Sequence, residues 1–68
     1  MTRFYKITLS AVNEKMINIQ NIAVIEPSNT TFTTIRLNIP DGSGGMVSYN
    51  INKYFTKVVE EIERLAQG

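Results

Sequence analysis

Six carboxylates are the acid–base chemistry available to this 68-residue chain near neutral pH, because it has no His and no Cys. Two carboxyl groups can share general acid and general base roles when their surroundings push their pKa values apart. That division of labour needs them in one place. Glu14, Glu26 and Asp41 are far apart in sequence, and each sits next to a turn. Glu60, Glu61 and Glu63 crowd together, but the spacing described below places them on the solvent side of a helix. A nucleophilic triad has no base to activate it. The usual zinc, haem and iron–sulfur ligand sets lack their imidazoles and thiolates. The expectation is a protein that is not an enzyme, with no metal and no cofactor.

Binding chemistry has two candidate sites. The first is the stretch Ile39-Pro40-Asp41-Gly42-Ser43-Gly44-Gly45-Met46, which holds three of the four glycines of the chain. Asp41-Gly42 alone would make a tight hairpin turn, so Ser43, Gly44 and Gly45 are more than a turn requires. Glycine-rich loops can present backbone N–H groups to a phosphate, but the P-loop needs a Lys and a following helix, and the dinucleotide fingerprint needs a βαβ unit. This loop has neither, and a long hairpin connection is its first reading. A ligand or partner loop of Asp41, Ser43, Gly44 and Gly45 is the second, with Tyr49 adding a stacking ring and Asn50 an amide.

The second candidate is a sheet face. If strand phases hold, Phe4, Lys6, Phe32 and Arg36 share the face away from the helix. Aromatic rings interleaved with cations are the means by which single-stranded nucleic acids are held. An uncovered face with exposed Phe also suits self-association. Seven basic and six acidic residues, formal charge +1, supply little of the field that nucleic acid binding draws on, so self-association ranks first.

Positioning these residues falls to strands and one helix. Tyr5, Ile7 and Leu9 alternate with Phe4, Lys6 and Thr8, the period of a half-buried strand over Arg3 to Leu9. Ser10 to Lys15 is polar, with Asn13 as a turn-former. Ile17 and Ile19 resume the alternation, but Ile22 and Val24 fall at even positions. A period of two cannot absorb that slip, so a bulge or short turn belongs near Gln20-Asn21. Ala23 to Glu26 is a strand stopped by Pro27, Ser28 to Thr30 a turn, and Thr31 to Ile39 the longest strand, with Ile35, Leu37 and Ile39 in phase. Met46 to Ile51 alternates on Val47, Tyr49 and Ile51. From Asn52 the period becomes helical: Phe55, Val58, Val59, Ile62, Leu65 and Ala66 form one apolar stripe, with Asn52 as N-cap and Gly68 as the C-terminal stop. The expected fold is α+β: an antiparallel meander of four to five strands with one C-terminal amphipathic helix on one sheet face.

In order, these features resemble the small flagellar FlbD/SwrD family of swarming-motility proteins. The residues that carry the resemblance are Lys6-Ile7-Thr8-Leu9, Asn13-Glu14-Lys15, Asn18, Ile22, Ile25-Glu26, Thr34-Ile35-Arg36-Leu37, Gly42, Val47, Val58-Val59 and Ile62. The resemblance implies a small non-catalytic accessory protein that binds a protein partner.

A chain this short buries only about 60% of its unfolded surface, and without Cys or His neither disulfides nor familiar metal sites support it. Self-association is the expected support, so a homo-oligomer of a single 1–68 domain is anticipated. No apolar run reaches the length of a membrane span, and the amino terminus lacks a signal peptide's apolar core, which points to the cytoplasm of a bacterium or of a phage-infected host. The leading expectation is a binding module for a protein partner. The alternatives are a phage-type inhibitor or small-ligand-sequestering protein, with its pocket between subunits beside the glycine loop, and then a single-stranded nucleic acid binder on the open sheet face.

Overall fold

The computed structural model describes residues 3–67, so Gly68, the expected helix stop, lies outside the described residues. Five antiparallel strands and one C-terminal helix make an α+β fold. Strands β1 (Phe4–Ser10) and β2 (Asn13–Asn18) form a two-stranded sheet of their own. Strands β3 (Ile22–Pro27), β4 (Thr33–Pro40) and β5 (Met46–Ile51) form a three-stranded sheet with β4 in the centre. Helix α1 (Phe55–Gln67) packs against β3 and β1.

The phase slip expected near Gln20-Asn21 is a single 3₁₀ turn over Ile19–Asn21. The Asn18 side chain caps it by accepting the Gln20 N–H at 2.9 Å, and the Ile19 N–H donates back to the Arg3 carbonyl at 3.0 Å. This turn breaks the meander in two, because β3 leaves it towards β4 and not alongside β2.

Residues that alternate in sequence meet in the core. Tyr5, Ile7 and Ile17 come from the hairpin, Ile35 and Leu37 from β4, Ile51 from β5 and Val58 from α1. Leu9, Ile19, Ile22, Ile25, Val47, Tyr49, Ile62 and Leu65 pack around them, half-buried. Thr33 is fully buried, and its hydroxyl is satisfied by donating to the Lys53 carbonyl at 2.7 Å.

Four local expectations are corrected. Asn13 is not in the turn: Ala11-Val12 make the connection, and Asn13 is already paired with Ser10. Ile39 leaves the core face, 39% exposed, because the β4–β5 register shifts between Arg36 and Pro40. Asn52 does not cap the helix. The Lys53 N–H donates to the Ile51 carbonyl at 3.0 Å, a tight turn that the Thr33 hydroxyl holds from below, and α1 opens only at Phe55. Glu61 is not on the solvent side with Glu60 and Glu63; it is half-buried against β1.

Candidate functional site

The structure distributes the carboxylates instead of pairing them. Glu14 sits across the hairpin from Thr8 and holds Lys6 at 3.1 Å. Glu26 on β3 takes both Nε and Nη2 of Arg36 on β4 at 3.0 Å. Asp41 is bound into its own loop. Glu61 accepts the Tyr5 hydroxyl at 2.6 Å and the Lys53 ammonium at 3.0 Å, both on Oε1. Among the described residues no three Asp or Glu side chains gather where they could hold a metal ion.

The Glu61 cluster is the polar centre that sequence reasoning missed. Lys53 lies 5.8 Å from the centroid of the Tyr5 ring, so the cation, the ring and the carboxylate form one unit joining β1, the β5–α1 turn and the helix. The Tyr5 hydroxyl holds the Glu61 carboxyl below the usual carboxylate range; burial works against this, and the Lys53 ammonium adds to it. Burial first, and then the hydrogen bond to Glu61, push the Tyr5 hydroxyl well above the ordinary tyrosine value. A signal was available: Glu61 stands three residues after Val58 and four before Leu65, which puts it on the margin of the buried stripe.

The glycine loop is organised around Asp41. Its Oδ1 accepts the Ser43 N–H at 2.8 Å, the Ser43 hydroxyl at 2.8 Å and the Gly45 N–H at 3.3 Å. The Asp41 N–H donates to the Gly45 carbonyl at 3.0 Å and closes the base. Gly42 and Gly44 take φ of +89° and +93°, the left-handed region that glycine enters without steric cost. The Ser43 N–H and hydroxyl hold the exposed Asp41 carboxyl below its usual range. Donors that a ligand phosphate would use are thus turned onto the loop's own carboxylate. Tyr49 and Asn50 sit on β5 with opposite facings, Tyr49 half-buried opposite Ile35 and Asn50 exposed opposite Thr34.

The four sheet-face residues fall on different sheets. Phe4 and Lys6 belong to β1, Arg36 to β4, and Phe32 lies half-buried just before β4 beside the Asn29 turn. Each cation is neutralised by a cross-strand glutamate, Lys6 by Glu14 and Arg36 by Glu26. The outer face of the β1–β2 hairpin carries two exposed apolar side chains among its polar ones. Lys6 stands opposite Met16 and Phe4 opposite Asn18, so Phe4 and Met16 are diagonal neighbours, 50% and 60% exposed. Val12, at the hairpin tip, is 96% exposed.

Two hollows lie on the surface of the described residues. One of about 80 Å³ lies between β1 (Tyr5 to Thr8) and the end of β5 (Ile51 to Lys53). A wider, open one of about 270 Å³ is lined by Thr31, Asn52, Lys53 and Tyr54. No helix is long and apolar enough to cross a membrane among the described residues. Comparison of the chain with protein-family models, with curated proteins and with solved structures finds no match in any of the three.

Proposed function

We propose that this chain is a small non-catalytic module that self-associates and acts by binding a protein partner. One observation carries the reading: Phe4, Met16 and Val12 stand in solvent on a hairpin whose other face is buried in the core. A chain with so little core gains stability by burying such residues, and here the fold leaves them out. Their exposure is what a partner surface needs. The family resemblance supplies the kind of partner, another protein of a motility apparatus.

The test is recovery of partners from the producing cells with the wild-type chain and with the double variant Phe4→Ser/Met16→Ser as baits. A protein retained by the first and lost by the second supports the reading; equal recovery overturns it. Circular dichroism of the variant must match the wild type, as expected for changes at exposed positions. The small-ligand reading has its own observation, the hollow beside the exposed Tyr54 ring. A native mass spectrum of freshly purified protein that shows a retained small molecule would favour it.

A further inference from the structure

The outward N–H and C=O groups of an edge strand have no partners, and natural chains blunt them with charge, Pro, bulges or a covering element. The two sheets of this fold have four edges: β1, β2, β3 and β5. β2 carries Glu14 and Lys15. β3 carries Glu26 and Pro27, shifts register between Ile22 and Val24, and has α1 packed against it. β1 carries Lys6 and faces the end of β5 across the narrow hollow. The end of β5 shares that contact with β1, but the strand itself carries none of the blunting residues. Its sequence, Met46-Val47-Ser48-Tyr49-Asn50-Ile51, has no charge and no Pro, and Met46 to Asn50 are exposed or half-buried. Among the described residues it is laddered only to β4.

We propose that β5 pairs antiparallel with β5 of a second copy of this chain, joining two three-stranded sheets into one of six (three plus three). Charge selects this occupant. Across a two-fold axis each residue meets itself or a near neighbour, so a charged residue in the pairing strand faces its own charge, and like charges directly opposite destabilise a sheet. A foreign strand imposes no such restriction, since its sequence can complement whatever charge it meets. Of the five described strands, β1 has Lys6, β2 Glu14 and Lys15, β3 Glu26 and β4 Arg36; only β5 has none. Val47, Tyr49 and Ile51 give it the β-branched and aromatic character that suits a pleated surface. With both helices on one side of the joined sheet, facing residues must share a face. The axis then falls on Ser48 or on Tyr49, which sets Ser48 opposite Ser48 or opposite Asn50 of the second copy.

This inference rests on the self-association reading, and the test separates the two. Light scattering on the wild type should give twice the 7.7 kDa chain mass at high micromolar concentration. Two double variants, Ser48→Lys/Asn50→Lys and Ser48→Glu/Asn50→Glu, place like charges across the axis in either register. Each alone should give the single-chain mass with an unchanged circular dichroism spectrum. Mixed in equal amounts they should recover the double mass, and salt should weaken the mixed pair. Double variants that keep the wild-type mass would place the contact elsewhere and overturn the inference, leaving self-association standing. A wild type that stays at the single-chain mass throughout would overturn both. Should either variant unfold, amide exchange of the wild type decides: β5 amides should exchange roughly tenfold more slowly in concentrated than in dilute protein, and equal rates would overturn the pairing.

Discussion

Tyr5→Phe tests the polar unit that ties the helix to the hairpin. The change keeps the buried ring, 5% exposed, and removes only the hydroxyl that donates to Glu61 Oε1 at 2.6 Å. A hydrogen bond to a charged group is worth roughly 1.5–3 kcal/mol. The Glu61 side chain is 30% exposed, so water recovers part of that loss, and a cost of about 1–2 kcal/mol remains. For a domain of this size that corresponds to a fall in Tm of roughly 4–16 °C. Lys53→Gln breaks the other contact to the same oxygen, but the Lys53 and Glu61 side chains are 40% and 30% exposed, and such a pair contributes under about 1 kcal/mol. Thermal unfolding should therefore rank Tyr5→Phe as the more damaging change.

The effect of pH follows from the two titrations. The Glu61 carboxyl is held below its unfolded value, so its contribution is present above about pH 4.3. It is lost as pH falls through the folded value. The Tyr5 hydroxyl is raised in the folded chain, so its contribution is complete below about pH 10. That contribution is lost as pH rises beyond. The stability gap between wild type and Tyr5→Phe should be widest between about pH 5 and pH 9 and shrink on both sides. A Tm change within about 1 °C, or a gap that ignores pH, would refute the claim that this bond fastens the helix.

Five further variants test the rest of the frame. Ile35→Ala, at a site with 0% exposure, should cost roughly 2–5 kcal/mol in denaturant unfolding. Val24→Ala, 43% exposed on the same sheet, should cost under about 1 kcal/mol. In the loop, a Cβ at Gly42 or Gly44 meets nothing within 4 Å, so any cost is that of the left-handed backbone alone; each Gly→Ala change should lower stability by about 1 kcal/mol. Gly45 does not take a positive φ, and its Cβ would press on the Asp41 carboxylate at 3.3 Å; Gly45→Ala should show itself as altered Ser43 and Asp41 NMR shifts.

Periodicity made most of the frame readable. Tyr5 and Ile7, Ile35 and Leu37, and Val58 in the helical stripe all reach the core as their spacing requires. Where the reading failed, tertiary geometry overrode local preference. Asn13 favours turns, yet the hairpin register claims it as a strand residue and leaves the apolar Val12 at the tip. Asn52 favours caps, yet the chain must first turn off buried Ile51 before a helix can start. The Glu61 cluster depends on three residues from separate parts of the chain, Tyr5, Lys53 and Glu61, and no local pattern announces such a meeting. The sheet-face set failed to assemble for a similar reason: alternation assigns a residue to one side of its own strand, whereas only topology says which strands share a sheet.

One slip in the pattern has consequences across the whole molecule. Ile17 and Ile19 are odd and Ile22 even, and the chain breaks the alternation with the Ile19–Asn21 turn. A second shift after Ile22 then turns Val24 outwards and Ile25 to the core. A tight hairpin turn in place of Ile19–Asn21 would have folded β3 back alongside β2 and made one continuous meander. The turn instead sends β3 to β4 and leaves the hairpin as a separate sheet. Its β1 edge then meets β5 across a hollow of about 80 Å³ without a ladder between them. The slip thus leaves β5 with an unpaired side, and it leaves the hairpin with an outer face that the helix, packed against β3 and β1, does not cover. Both surfaces proposed for binding follow from the same three residues. Restoring the phase there, by deleting one residue of the turn, should therefore disturb self-association and partner binding together, whereas the β5 and hairpin variants should separate them.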